Sequence, residues 1–165
     1  MMARGFNGRI GSFMVVAVAS LVVACGGGRV MLDRSSNTVI NAGTISVWAD
    51  WIKDKGVKYD VRLNIQNDSE KSLIVKLGGT RCYRGQTEGE LKHTFFNTGE
   101  KTMDFEPGQK KAFNLVCDLA GEARGDFRIV IERVFDNPSN DGMTPGVVVA
   151  EKVEWRLPEA IGSER

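Results

Sequence analysis

The stretch that decides the fold is 57-VKYDVRLNIQ-66. Its odd-numbered positions are apolar from Val57 to Ile65, and its even-numbered positions are polar from Lys58 to Gln66. Alternation with a period of two predicts a β-strand that has one buried face and one solvated face. On a helix the same apolar side chains would scatter around the circumference, so the pattern excludes a helix here.

Similar short apolar runs continue on both sides of this strand, separated by turn signals rich in Gly, Asn, Asp and Ser. We expect about eight or nine short strands and no helix, which is typical of an antiparallel sandwich or barrel, and we favour the sandwich. RGQTEGE at 84–90 is expected to be a loop, and the FRIVIERVF and GVVVAEKVEWRL runs are each expected to form one strand. The predicted core includes Tyr59, Val61, Leu63, Ile65, Phe113, Leu115, Phe127, Ile129 and Ile131.

The amino-terminal region has the pattern of an export signal. Arg4 and Arg9 precede the apolar run 13-FMVVAVASLVVA-24. This run is shorter than the roughly 20 residues that a membrane-spanning helix needs, and it ends in small residues, as secretory signals do. Val22-Val23-Ala24-Cys25 resembles the lipobox of bacterial lipoproteins. The resemblance implies that residues 1–24 are removed and that Cys25 is lipidated.

Two alternatives for this region stay open: cleavage by an ordinary signal peptidase, which would leave Cys25 as a free thiol or disulfide partner, and an uncleaved anchor. In lipoproteins of this kind the residue after the cysteine influences sorting. Here it is Gly26 rather than an aspartate. By resemblance this favours the outer membrane, with the domain facing the periplasm or the cell exterior, so that the membrane itself is one expected partner.

The expected organisation is a signal peptide at 1–24, a lipidated cysteine and tether at 25–43, a β-sandwich at 44–157 and a tail at 158–165. Within the tether, residues 30–32 (VML) are interpreted either as a short first strand or as part of a flexible leader.

Two longer stretches resemble immunoglobulin-like domains of bacterial envelope proteins. KYDVRLNIQNDSEKSLIVKL at 58–77 is similar to their paired early strands, and FEPGQKKAFNLVCDL at 105–119, followed by GDFRIVIERVF, is similar to their later strands. The resemblance implies an immunoglobulin-like sandwich over residues 44–157. The chain departs from the antibody pattern, because Trp48 and Trp51 precede both cysteines of the domain and those cysteines are closely spaced.

Cys82 and Cys117 remain once Cys25 is assigned to the lipid. Exported domains fold in an oxidising compartment, where two remaining thiols commonly pair, so we predict a Cys82–Cys117 disulfide. Two buried free thiols are the main alternative. A metal pair is a weaker one, because the single histidine, His93, lies at an unrelated spacing.

Charge and motifs narrow the function classes. The chain has 22 basic and 21 acidic residues, and the loss of Arg4 and Arg9 leaves the mature domain close to neutral. The absence of a basic run argues against nucleic acid as a partner. No nucleophile elbow, phosphate loop or zinc-protease motif occurs, so we expect neither an enzyme nor a cofactor. The 137-NPSNDG-142 segment resembles a calcium loop but has Val148 where the glutamate is needed, so no metal is expected.

We therefore expect a non-enzymatic binding or structural module of the envelope, with an envelope protein as a further partner. The alternative is a lipoprotein that binds carbohydrate or a small ligand through exposed Trp48 and Trp51 and the 136–146 loop. Val47 and Trp48 are adjacent and must point to opposite sides of a strand. Trp48 is thus either exposed or packed beneath the amino-terminal leader.

Overall fold

The computed structural model describes residues 28–41, 44–92, 101–121, 123–137 and 146–158. These residues form thirteen strands and one short helix. In chain order the elements are β1 (Val30–Met31), α1 (Arg34–Asn37), β2 (Val39–Asn41), β3 (Ile45–Asp54), β4 (Lys58–Asn67), β5 (Leu73–Lys76), β6 (Arg81–Arg84), β7 (Thr87–Lys92), β8 (Thr102–Phe105), β9 (Lys110–Leu119), β10 (Phe127–Ile131), β11 (Arg133–Asp136), β12 (Val148–Ala150) and β13 (Val153–Arg156).

The strands form two antiparallel sheets. The nine-stranded sheet has the order β1-β3-β4-β9-β7-β6-β10-β13, and β2 also pairs with β3. The four-stranded sheet has the order β12-β11-β5-β8. The predicted all-β, antiparallel sandwich is confirmed, whereas the immunoglobulin-like assignment stays a prediction.

The alternating stretch forms β4, which lies between β3 and β9. Its side chains Tyr59, Val61, Leu63 and Ile65 are at most 2% exposed. Val57 is different, because it precedes the strand and is 39% exposed, so its predicted inward position is wrong. Val57 is a central residue of the turn between β3 and β4, together with Gly56, which has a φ of 83°, because the Lys55 N–H donates to the Lys58 carbonyl.

All nine predicted core residues are buried. The Tyr59 ring stacks on Phe127 with a centroid distance of 4.3 Å, and Trp155 meets Phe127 edge-on at 6.4 Å. These contacts join β4 to β10 and β13 across the core, so distant parts of the chain share one apolar interior.

Two of the predicted single strands are in fact pairs of strands. FRIVIERVF divides at Glu132 into β10, in the nine-stranded sheet, and β11, in the four-stranded sheet. GVVVAEKVEWRL divides in the same way into β12 and β13. The buried pair Ile131 and Val134 shows the reason, since a spacing of three breaks the alternation of a single strand.

The expected loop at 84–90 is also wrong. Arg84 pairs with Thr87, so the turn contains only Gly85 and Gln86, and the remaining residues enter β7. Gly85 supplies a φ of 57°, the positive value that tight hairpin turns require at this position.

The segment before Thr44 belongs to the nine-stranded sheet. β1 and β2 pair with opposite halves of β3, and α1 lies between them. Of the two interpretations for residues 30–32, the structure has the strand. Residues 1–27, including Cys25, lie outside the described residues.

No helix in the described part of the chain is long and apolar enough to cross a membrane.

Candidate functional site

The predicted Cys82–Cys117 disulfide is present. It joins β6 to β9, and the Cα atoms of the two cysteines are 6.1 Å apart. Strand β7 runs between these two strands, and Gly89 of β7 pairs with Cys82. A Cβ atom on Gly89 would lie 2.6 Å from the Cys117 Sγ atom, so the bridge passes over a position that has no room for a side chain.

The two candidate tryptophans lie on the outer face of the nine-stranded sheet. Trp48 pairs with Asn64 and Trp51 pairs with Arg62, both on the polar side of β4. Residues three apart in a regular strand point to opposite faces, but the register shifts between Ala49 and Trp51. This β-bulge adds one residue and brings both indoles to the same face.

The two indoles differ in exposure. Trp48 is only 2% exposed, and the Arg34 guanidinium of α1 lies 3.9 Å from the centroid of its ring. Lys110 of β9 approaches the same ring at 5.6 Å. Trp51 is half-buried, with the Arg29 guanidinium at 4.2 Å. Trp48 is therefore packed beneath the amino-terminal segment rather than exposed. Ligand binding by the two indoles stays a prediction.

Asn37 is a buried polar residue that links the amino-terminal segment to β3 and β13, two strands far apart in the sheet order. Its Oδ1 atom accepts a hydrogen bond from the Ala49 N–H at 2.7 Å. The indole Nε1 of Trp155 donates to the Asn37 carbonyl at 2.9 Å and lies 3.2 Å from Oδ1. Asn37 in turn donates to the Asp33 carbonyl at 2.6 Å. One side chain thus holds α1 against β3 and β13.

Beside Asn37, an open cleft of about 320 Å³ is lined by residues of α1, β2 and the end of β13. This volume lies at the lower end of the range for small-molecule sites, roughly 300–1,000 Å³. Its lining combines carboxylate, guanidinium and hydroxyl groups with apolar ones, from Ser36, Asn37, Val39, Asp126, Glu154, Arg156, Leu157 and Pro158. Sequence reasoning missed this cleft, because residues from opposite ends of the domain form it.

Glu154, which lines the cleft, forms ion pairs with two neighbouring basic residues. Glu154 accepts from Lys152 at 2.7 Å and from Arg156 at 2.6 Å. The hydrogen bond from Lys152 is the main reason that the pKa of Glu154 is lowered, and burial opposes it. Outside the cleft lining, hydrogen bonds from Lys92 and Lys58 likewise lower the pKa of Asp118 on β9. Both carboxyl groups are therefore ionised at neutral pH and act as acceptors for cations.

Among the described residues, no group of three metal-ligating side chains occurs. His93 and residues 138–145 of the candidate loop lie outside the described ranges, so the interpretations that concern them stay predictions.

Comparisons with known proteins add little. No protein-family model matches the chain, and no curated protein sequence matches it. A crystal structure described as that of a "putative lipoprotein (ycdA)" from Bacillus subtilis matches 79% of this chain at 13% identity and a TM-score of 0.48. The chain spans 40% of that protein. A likeness of this strength carries no argument about function.

Proposed function

We propose that the protein is a lipid-anchored β-sandwich of the bacterial envelope that acts as a non-enzymatic binding or structural module. The observation that carries the proposal is the short distance in sequence between the lipobox cysteine and the folded domain. Cys25 precedes β1 by only four intervening residues, and β1 is already paired with β3. An acyl group on Cys25 therefore keeps the folded domain within a few residues of the membrane.

The anchor supplies position, and the sandwich supplies a binding surface. Each buried methylene contributes about 0.8 kcal/mol to membrane binding, so two or more acyl chains give a stable attachment. Gly26 after the cysteine supports an outer-membrane location facing the periplasm or the cell exterior. Residues that recognise partners are commonly carried by the loops and edges of such scaffolds.

In this proposal, the cleft beside Asn37 is the site of recognition. Ser36, Asp126 and Arg156 offer a hydroxyl, a carboxylate and a guanidinium around one opening. An envelope protein that inserts a polar side chain there would use these groups. The same volume and lining support the alternative function, the binding of a carbohydrate or another small polar ligand.

Replacing Cys25 tests the anchor. Cys25→Ser should move the protein to the soluble fraction or leave an unprocessed precursor, whereas the matched control Gly26→Ala should stay in the membrane at the mature mass. Fractionation and intact-mass measurement read out both variants. A Cys25→Ser protein that partitions into detergent at the mature mass would refute the proposal.

Filling the cleft tests the binding site. Ser36→Trp should abolish the increase in melting temperature that a bound glycan produces. It should also abolish cross-linking to a partner in the envelope. Val147→Trp, at an exposed position beside β12 in the other sheet and outside the cleft lining, is the matched control. Equal binding by the two variants would remove the cleft from the proposed function.

A further inference from the structure

The edge of the sheet nearest Cys25 carries an exposed apolar and basic patch. We call Arg29, Val30, Met31 and Trp51 the anchor-side patch. Met31 is 70% exposed and Val30 is 37% exposed. Met31 pairs with Trp51 in the sheet register, and the Arg29 guanidinium lies over the Trp51 ring.

The length of chain outside the structure limits where this patch can face. Cys25 lies four residues before Arg29, and four extended residues reach at most about 14 Å. A domain of about 140 residues has a radius of gyration of about 14 Å, which corresponds to a sphere about 18 Å in radius. The tether is thus shorter than the radius of the domain. A lipid on Cys25 therefore holds the anchor-side patch next to the bilayer.

We propose that the anchor-side patch docks on the bilayer through the edge of the sheet, with Met31 and Val30, which point to opposite sides of the edge strand β1, in the interfacial region and Arg29 at anionic phospholipid headgroups. This inference rests on the proposed lipidation of Cys25 and adds an orientation to it. Tryptophan beside a basic residue suits the interface, where one part of the side chain is apolar and the other is wet.

Two exposed positions provide a matched comparison. Val147 is 71% exposed, close to the 70% of Met31, but it lies beside β12 in the other sheet. The full precursor carrying Met31→Cys or Val147→Cys is processed in cells, labelled with a nitroxide and reconstituted in vesicles of phosphatidylethanolamine and phosphatidylglycerol. Spin-label collision rates with oxygen, which enters lipid, and with a water-soluble nickel chelate report the surroundings of each label.

Docking predicts that the label at position 31 collides less with nickel and more with oxygen in vesicles than in detergent, while the label at 147 is unchanged. In the Met31→Cys background, Arg29→Ala should lower the docked-to-undocked ratio about fivefold on anionic vesicles, the effect of one basic residue at such a surface.

Other outcomes overturn the inference and separate its failure from that of the anchor. Equal nickel collision rates at 31 and 147 in protein that floats with vesicles refute docking and leave the anchor intact. Protection of position 31 from both nickel and oxygen indicates a protein cover, from a partner or a second copy, and also refutes lipid docking. A processed chain that does not float refutes the anchor and docking together.

Discussion

Gly89 and the disulfide should be energetically coupled, because the bridge occupies the space that a side chain at position 89 would need. A Cβ atom at this position would lie 2.6 Å from Cys117 Sγ, 2.9 Å from Leu119 Cδ2 and 3.1 Å from the Asp118 carbonyl oxygen. The leucine end can rotate away, but the sulfur is fixed by its bond to Cys82. Gly89→Ala should therefore conflict mainly with the bridge.

The magnitudes follow from packing and chain entropy. Overpacking of a well-filled interior costs about 1–3 kcal/mol, which is the expected effect of Gly89→Ala in the oxidised protein. Removing the bridge with Cys82→Ala and Cys117→Ala costs about 3.8 kcal/mol in the chain-entropy model at their sequence separation of 35. Without the sulfur, alanine in a strand is favoured over glycine by about 0.5–1 kcal/mol. The effect of Gly89→Ala should thus differ by about 1.5–4 kcal/mol between the proteins with and without the bridge.

Urea unfolding of the four proteins in this cycle measures the coupling. The domain without residues 1–25 is exported to the periplasm so that the bridge forms. Alkylation without reductant, followed by mass spectrometry, verifies the bridge. Thr87→Ala, at an exposed position on the same strand, is the control and should show additive effects. If Gly89→Ala costs the same with and without the bridge, the close approach of sulfur to position 89 does not explain this glycine.

Three further predictions concern the core, the buried amide and acid stability. Leu63→Ala should lower the free energy of unfolding by about 2–5 kcal/mol, because Leu63 is fully buried; a loss below about 1 kcal/mol would contradict its place in the core. Asn37→Ala should cost about 1–3 kcal/mol in the same urea assay by leaving the Ala49 N–H without its acceptor, and Asn37→Asp should cost no less, because it buries a carboxylate with one oxygen facing the Asp33 carbonyl. Because the pKa of Glu154 is lowered in the folded state, its contribution to stability is present above the unfolded value and is lost as pH falls through the folded one. The stability difference between the wild type and Glu154→Gln should therefore shrink below pH 4.5, and a difference constant with pH would contradict the Lys152 contact.

The sequence predicts the centre of the sandwich well because the signal there is local. Every second residue of β4 is apolar, and the strand is hydrogen-bonded on both sides, so one face packs into the core and the other stays polar. The disulfide was predicted from the export signal and the number of cysteines. Its location across β7 depends on strand order, which the spacing of Cys82 and Cys117 does not encode.

The wrong predictions occur where the chain changes sheets or register. Glu132 separates two strands within one apolar run. The spacing of three between Ile131 and Val134 breaks the alternation, but it does not indicate that the two halves enter different sheets. No sequence signal predicts the bulge between Ala49 and Trp51, yet this bulge places Trp48 and Trp51 on the same face. Both features are tertiary, since they require a partner strand to define them.

The cleft was not predictable for a related reason, and its position gives the two proposals a common geometry. The hydrogen bond between Trp155 and Asn37 joins residues separated by 118 positions, so the cleft exists only after both ends of the domain have met. One wall of the cleft is α1 and β2, in the same segment that carries the anchor-side patch. Val47, which pairs with β2, and Trp51, which pairs with β1, are about 13 Å apart at the usual rise of a strand. A domain docked through Met31 therefore holds its cleft close to the bilayer, which favours a partner or ligand that is itself at the membrane surface.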